Sequence, residues 1–342
     1  MADPKRELRR PVDTGRRQIL GWVGVAAGAA LLGACSDDEP AASSSPTPTA
    51  TEATDPAPAS TPTPTRSSTP TPTPVVFDPA AAFAVVEYLA ARVGPREAAS
   101  AAFDEAAAYV QSRFEDLGYA VTQTPVPVPA GDSWGVPVDA GTSQNVVADP
   151  PGFDPATPHV VIGAHLDTVA AAPGAEDNAS GIGVMLELAR MAAAEPPALM
   201  VRFIAFGAEE PRGRGDSLHH FGSQAYVRDL PAAQRAAVAA MVSLDRVGVS
   251  APSVPLATGG TGTTQVLDAL SAASDLAGIP TTRSLDNRAS DHWSFEKADI
   301  PSARMGSVPY PGYHSAGDVP SVVDPDQLGR VGTIMWTWLG TL

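Results

Sequence analysis

The chain has 342 residues, 44% of them hydrophobic, and a formal net charge of −16, which leaves room for one or two folded domains. That charge, with Lys5 and Lys297 as the only lysines, argues against a phosphate-binding surface, which needs clustered positive charge, and no nucleic-acid partner is expected. A single cysteine, Cys35, excludes an internal disulfide and, beyond that position, a cysteine nucleophile or a thiolate-held metal.

The first segment, "TGRRQILGWVGVAAGAALLGACS", sets Arg16 and Arg17 before a mildly apolar stretch from Ile19 to Ala34, too short for a comfortable membrane span. It ends in Leu32-Gly33-Ala34-Cys35 and resembles a twin-arginine export signal joined to a bacterial lipobox. The resemblance implies that residues 1–35 are a lipoprotein signal peptide and that Cys35 is the lipidated first residue of the mature chain. The protein would then be exported and held by its lipid at the outer face of the cytoplasmic membrane or in the cell envelope. An uncleaved anchor would put the domain on the same side. Residues 36–76 read as a disordered tether, because a run of Pro, Thr, Ser and Ala has nothing to bury against its ordering entropy.

From residue 77 the chain turns apolar, and 77–342 suit one α/β domain. Helical spacing runs from Pro79 to Arg92 and from Ser100 to Leu117, where Phe103, Ala107, Val110, Phe114 and Leu117 recur before Gly118. Then come short apolar runs: "YAVTQTPVPV", "NVVA", "HVVIGA", "LMVRFIAF", "AAVAAMVSL" and "PSARM". The middle ones are continuous rather than alternating, as strands covered on both faces are. Helical patterns separate them at Asn178 to Ala193 and Gln265 to Ala277, and Asp324 with Pro325 opens a last helix. This alternation predicts a three-layer α/β/α sandwich around a mainly parallel sheet.

Ionisable groups gather behind these strands. His165 and Asp167 follow "VVIGA", Glu209 and Glu210 follow "LMVRFIAFGA", and Asp245 follows "AAMVSL". Asp177 enters a helix and His314 sits in "YPGYHSAGD". In a parallel sheet all carboxyl ends share one edge, where α/β proteins set their sites. Two histidines and several carboxylates repel one another unless cations are present. Imidazole and carboxylate suit zinc, and manganese or cobalt as well. Five ligands serve two ions if one carboxylate bridges, and two close ions lower the pKa of a shared water. In the pair "EE" one carboxylate can hold metal while the other stays free to take a proton.

The ordered series "HLD", "PGAEDNASG", "FGAEE", "SLDRVG", "SDH" and "GYHSAGD" resembles the co-catalytic zinc metallopeptidases of family twenty-eight, which includes secreted bacterial aminopeptidases, glutamate carboxypeptidases and glutaminyl cyclases. The resemblance implies two zinc ions, with His165 and Glu210 on different ions, Asp177 as the bridge, and Asp245 and His314 in the remaining ligand places. It makes Glu209 the general base, has Asp167 orient the His165 imidazole, matches Tyr313 to a phenol that donates to the oxyanion, and implies a cis peptide after Asp177. The expected activity is that of an aminopeptidase acting on peptide or protein N-termini, as a monomer. A carboxypeptidase or glutaminyl cyclase on the same scaffold is the nearer alternative, and a non-catalytic binding lipoprotein the farther one.

Two departures limit the transfer. Arg246 stands where an apolar residue, commonly Met, is usual, so leucine preference does not follow. "PRGRGDSLHHF", between Glu210 and Gly222, is longer than the usual connection and suggests a rim loop. His159, His219, His220 and His292 are expected to be surface or packing residues, Asp291 structural, and the "RGD" at Arg214 to Asp216 a coincidence.

Overall fold

The continuous apolar runs form the middle of an eight-stranded sheet. The structure, a computed structural model, describes residues 74–342; the expected signal segment with Cys35, and nearly all of the expected tether, lie outside the described residues. The strands are β1 (Ala120–Val128), β2 (Gly131–Ser133), β3 (Val136–Val138), β4 (Gly141–Asp149), β5 (His159–His165), β6 (Met200–Phe206), β7 (Val238–Leu244), β8 (Val254–Ala257), β9 (Thr281–Ser284) and β10 (Ser302–Met305). β2 and β3 pair as a separate hairpin, and the other eight run in the order β1-β4-β6-β5-β7-β10-β8-β9. The central β6, β5, β7 and β10 are parallel, and β8 is parallel to β9. β1 on β4, β4 on β6 and β8 on β10 are antiparallel. The expected mainly parallel sheet is therefore present, with its antiparallel pairs flanking the centre.

The helices are α1 (Pro79–Glu87), continued by a π-helical turn at Tyr88–Val93, then α2 (Ala101–Asp116), α3 (Ser180–Ala194), α4 (Phe221–Asp229), α5 (Ala232–Ala237), α6 (Gln265–Ala277), α7 (His292–Glu296) and α8 (Pro325–Leu339). Their starts are written locally. Asp78 accepts from the amides of Ala80 and Ala81, Ser100 from that of Phe103, and Asp324 from that of Asp326 with Pro325 following it, so amides left free at each first turn are satisfied. The run "AAVAAMVSL" is split by the structure, since Ala236 and Ala237 close α5 before β7 begins at Val238.

Side chains of β5 alternate between two cores. Val160, Ile162 and Ala164 join the large cluster with α1, α2, α3, α6 and α8, whereas Val161 joins Val227 of α4 and Phe295 of α7 on the other side. Three layers result, as expected. Truncating a centrally buried residue such as Ile162 to alanine would cost about 2–5 kcal/mol. Among the described residues no helix is long and apolar enough to cross a membrane.

Candidate active site

The parallel core brings distant residues to one edge. His165 is the last residue of β5, Glu209 and Glu210 follow β6 by a short turn, Asp245 is the first residue after β7, and His314 lies in the loop after β10. Asp177 stands in the π-helical turn Ala175–Ala179 that leads into α3, and its peptide bond to Asn178 is cis. All six are buried.

Asp177 is central. Its Oδ1 is 3.1 Å from His165 Nε2 and its Oδ2 is 3.2 Å from His314 Nε2, while His314 Nε2 is also 3.2 Å from Glu210 Oε2. Two sets of possible ligands therefore share Asp177: His165, Asp177 and Asp245, and Asp177, Glu210 and His314, with the atoms of each set within 4.8 Å of one another. The donors suit divalent cations. Glu210 Oε1 is buried without a hydrogen-bond partner, and burial, with the nearby Asp177 charge, pushes Glu210 up to about 7. Burial resists a charge on His314, but Glu210 and Asp177 outweigh it and raise the imidazole to about 10. Asp177 is likewise resisted by burial yet held below the usual carboxylate range by His165 and His314. The cluster thus binds protons between its carboxylates and imidazoles, and those are the positions metal ions compete for.

The structure changes the expected means by which Asp167 acts. His165 Nδ1 donates to the main-chain oxygen of Asp167 at 3.1 Å, with the Asp167 carboxylate farther away at 3.6 Å. A carbonyl only accepts, so this bond leaves Nε2 to face Asp177. The carboxylate instead accepts the amides of Glu209 and Glu210, at 2.9 and 3.0 Å. The side chain therefore joins the β5 and β6 turns, because β5 ends at His165 and Asp167 lies beyond it in the turn.

Several supports were not legible in the sequence. Wholly buried Arg96 donates to the carbonyls of Leu166, Pro173 and Gly174, fixing the loop between His165 and Asp177. Asp318 accepts the amides of Glu176 and Asp177. Buried Arg304 donates to Asp245 Oδ1 at 2.8 Å. His219 and His220, expected to be surface or packing residues, bring their Nε2 atoms to 3.4 and 3.2 Å from Glu209 Oε1. Trp134, at the exposed tip of the β2–β3 hairpin, sets its ring 4.4 Å from that of His314. Asp318 closes the run "GYHSAGD", whose reading assigns it no role; the other groups carry no ligand motif and come from separate elements, so only folding discloses them.

The remaining expectations fall as follows. Tyr313 stacks on His314 with ring centroids 3.7 Å apart, and burial raises its phenol, which keeps the proton on it. Arg246 reaches the same cleft: its guanidinium lies 4.4 Å over the Tyr313 ring, its Nη2 donates to Ser307 at 2.6 Å, and its Nε is 3.7 Å from Asp245. Asp291 is wholly buried, as a structural residue would be, and burial with the Glu209 charge pushes its carboxyl well above the usual range. His292 donates from Nε2 to Asn287 and His159 from Nδ1 to Thr157, both as packing residues.

Residues 145–339 match the model of Peptidase family M28. Aminopeptidase YwaD of Bacillus subtilis is 31% identical over 204 residues, which cover 57% of this chain and 43% of that protein. The chain spans less than half the length of the curated relatives it matches first. Among solved structures, BSAP, a zinc aminopeptidase from Bacillus subtilis, superposes with a TM-score of 0.68 at 20% identity, over 77% of this chain and 94% of that one. A Bacteroides thetaiotaomicron glutaminyl cyclase bound to N-acetylhistamine gives 0.68 at 21%, over 79% and 100%. At such identities the superpositions speak for the fold. The family match, in contrast, runs from within β4 to the end of α8 across more than half of the sequence, and the chain belongs to peptidase family M28.

Proposed function

We propose that the protein is a zinc aminopeptidase that releases N-terminal residues from peptides or proteins. Two zinc ions would be held, one by His165, Asp177 and Asp245 and one by Asp177, Glu210 and His314. The observation that carries this reading is the Asp177 carboxylate, which turns one oxygen to His165 and the other to His314. A carboxylate so divided is suited to be shared by two cations. Zinc supplies Lewis acidity there, lowering the pKa of a water and polarising a carbonyl.

The chain's own groups do the rest. Glu209, held by its amide on Asp167, takes the proton of the attacking water and returns it to the leaving amine. Glu209 and Asp245 offer negative charge to the substrate's free ammonium. The Tyr313 phenol donates to the oxygen on which charge develops. YwaD bears the name aminopeptidase and BSAP is described as a zinc aminopeptidase, which supports the reading.

The test is a panel of paired peptides with free and acetylated N-termini. Cleavage of the free members alone is expected. Equal turnover of both would favour a carboxypeptidase or endopeptidase, and ring closure of N-terminal glutamine would favour a cyclase.

We also propose export as a monomeric lipoprotein, on the strength of Arg16, Arg17 and the run ending at Cys35. Mature protein is expected to begin at a lipidated Cys35 and to partition with membranes, and Cys35→Ser to abolish the lipid. An unmodified thiol in intact-mass measurement from the native host would remove the anchor.

A further inference from the structure

A positive φ is costly for a bulky residue, and where one persists it points to function. The two-residue loop of the β2–β3 hairpin has φ 54° at Trp134 and 90° at Gly135, the twist that joins two strands tightly. Glycine suits such a loop and tryptophan does not. The loop is nonetheless held in place. Asp132 Oδ1 accepts the Gly135 amide at 2.8 Å. Arg212, only 3% exposed, donates to the carbonyls of Pro129 and Asp139 at the two feet of the hairpin, at 2.8 and 2.6 Å, and its own carbonyl accepts the Asp132 amide. Ser133 Oγ accepts the amide of Ala170 at 3.0 Å. A hairpin of three-residue strands is thus fastened to the loops behind Glu210 and His165, and its tip carries an indole that is 56% exposed.

Trp134 stands 4.4 Å from the His314 ring with planes 85° apart, His314 stacks on Tyr313 at 3.7 Å, and the Arg246 guanidinium lies 4.4 Å over Tyr313. This row of contacts has Arg246 at one end, beside Asp245, and Trp134 at the other. A substrate ammonium between Glu209 and Asp245 puts the first residue at the Arg246 end, so the chain beyond the scissile bond passes Trp134. There the cleft opens: Trp134 and Pro211 line both the metal cleft and a groove of about 560 Å³ walled by Asp132, Gly135, Gly213 and Arg214. A second groove, past His219 and Ala289, adjoins the ammonium end instead. His219 faces Glu209 there, and the Ala289 carbonyl accepts from the Arg304 that holds Asp245.

We propose that Trp134 and the groove behind it bind the leaving peptide, and that Trp134 selects substrates whose second residue is large and apolar, aromatic above all. The direction of the chain rests on the aminopeptidase reading. A second aromatic ring covers indole surface that is otherwise left to solvent, and a tilted or offset pair of rings gains beyond the area it buries. Because the hairpin is fastened at its feet and its loop, the indole is already in place when the substrate arrives, and little ordering opposes the contact.

The test is kcat/KM for free-amine peptides that share a first residue and differ in the second, Leu-Phe-Gly against Leu-Gly-Gly. The unaltered protein should favour Leu-Phe-Gly. Trp134→Ala should reduce that ratio by about two- to tenfold, the worth of an aromatic pair. The change should fall on KM rather than kcat, since Trp134 binds a side chain and not the reacting atoms. Trp134→Phe should keep most of the preference. Zinc per chain, counted for each protein, tells a disturbed His314 apart from a lost substrate contact. A ratio that Trp134→Ala leaves unchanged, or no preference for phenylalanine in the unaltered protein, would overturn the proposal and make the indole a cover for His314.

The groove is also read without turnover. Phe-Gly, the peptide that Leu-Phe-Gly releases, should bind the zinc-loaded protein more tightly than Gly-Gly in calorimetry, and Trp134→Ala should remove the difference. Equal binding of the two dipeptides by the unaltered protein would overturn the groove. Cleavage of acetylated and free peptides alike would instead overturn the aminopeptidase reading, so the two failures are distinct.

Discussion

Arg304 donates to Asp245 Oδ1 at 2.8 Å with both side chains buried, 1% and 4% exposed. Its other amino group donates to the carbonyl of Ala289, so the guanidinium holds the carboxylate at a set angle beside His165. Breaking a buried pair by removing one partner costs about 3–5 kcal/mol. Arg304→Ala should therefore lower stability by that order and weaken metal binding at the place using Asp245 by about 10- to 100-fold. Denaturant unfolding and zinc retained against a chelator series measure both. Unchanged retention would make Arg304 a packing residue only.

The adjacent glutamates should separate. Glu209→Gln is expected to retain zinc at the two places sharing Asp177 and a near-normal KM, and to lose about a hundred- to ten-thousand-fold in turnover, the usual contribution of a positioned base. Glu210→Gln should lose metal first and activity with it, because its partners are then left repelling one another. Zinc per chain beside turnover decides the matter, and reversed phenotypes would exchange the two roles.

Arg246 has φ 58° and a guanidinium fixed by Ser307 and Tyr313. If an acidic first side chain reaches it, a charge-assisted bond worth about 1.5–3 kcal/mol follows. Arg246→Met is then expected to lower kcat/KM for N-terminal Glu relative to Leu by roughly tenfold or more. A rank order that the substitution leaves unaltered would confine Arg246 to supporting Tyr313 and the nearby carboxylates.

Acid should destabilise the fold through His292. Burial lowers this imidazole from 6.5 to about 3, with Arg304 adding to the effect. Its contribution is intact above the unfolded value of 6.5 and is lost as pH falls toward 3, because the unfolded chain takes up the proton first. The slope approaches about 1.4 kcal/mol per pH unit. Between pH 7.5 and 5 the unaltered protein should lose roughly 2 kcal/mol more than His292→Gln, read from denaturant midpoints. Equal losses would exclude His292 as the acid-sensitive group.

The layer order was legible because β5, β6 and β7 are continuous apolar runs and α3 and α6 carry helical spacing between them. Strand ends then located the ionisable groups, since His165 and Asp245 stand directly at the ends of β5 and β7. Short elements escaped. β8 and β9 have only four residues each, Val254–Ala257 with a proline inside and Thr281–Ser284 largely polar and exposed, so neither forms an apolar run as β10 does, and the strands of the β2–β3 hairpin that carries Trp134 are shorter still. Arg96 and Arg304 carry no motif, and only the fold shows them buried and donating to carbonyls. His219 and His220 escaped for a different reason: adjacency in sequence suggests opposed side chains, and only the left-handed backbone at His220 turns the rings the same way.

The neck of the loop between the glutamates and α4 is tied by main-chain bonds, from His220 to the carbonyl of Glu209 and from Phe221 to that of Ala208, each 2.8 Å. The Asp167 carboxylate fixes the same glutamates from the other side. Residues 211–219 thus leave and return at one anchored point, and the entropy of closing such a loop grows by only about 0.6 kcal/mol for each doubling of its length. This segment is consequently a natural graft site: its length and composition can diverge, and with them the mouth of the cleft, while the register of the glutamate pair is inherited unchanged.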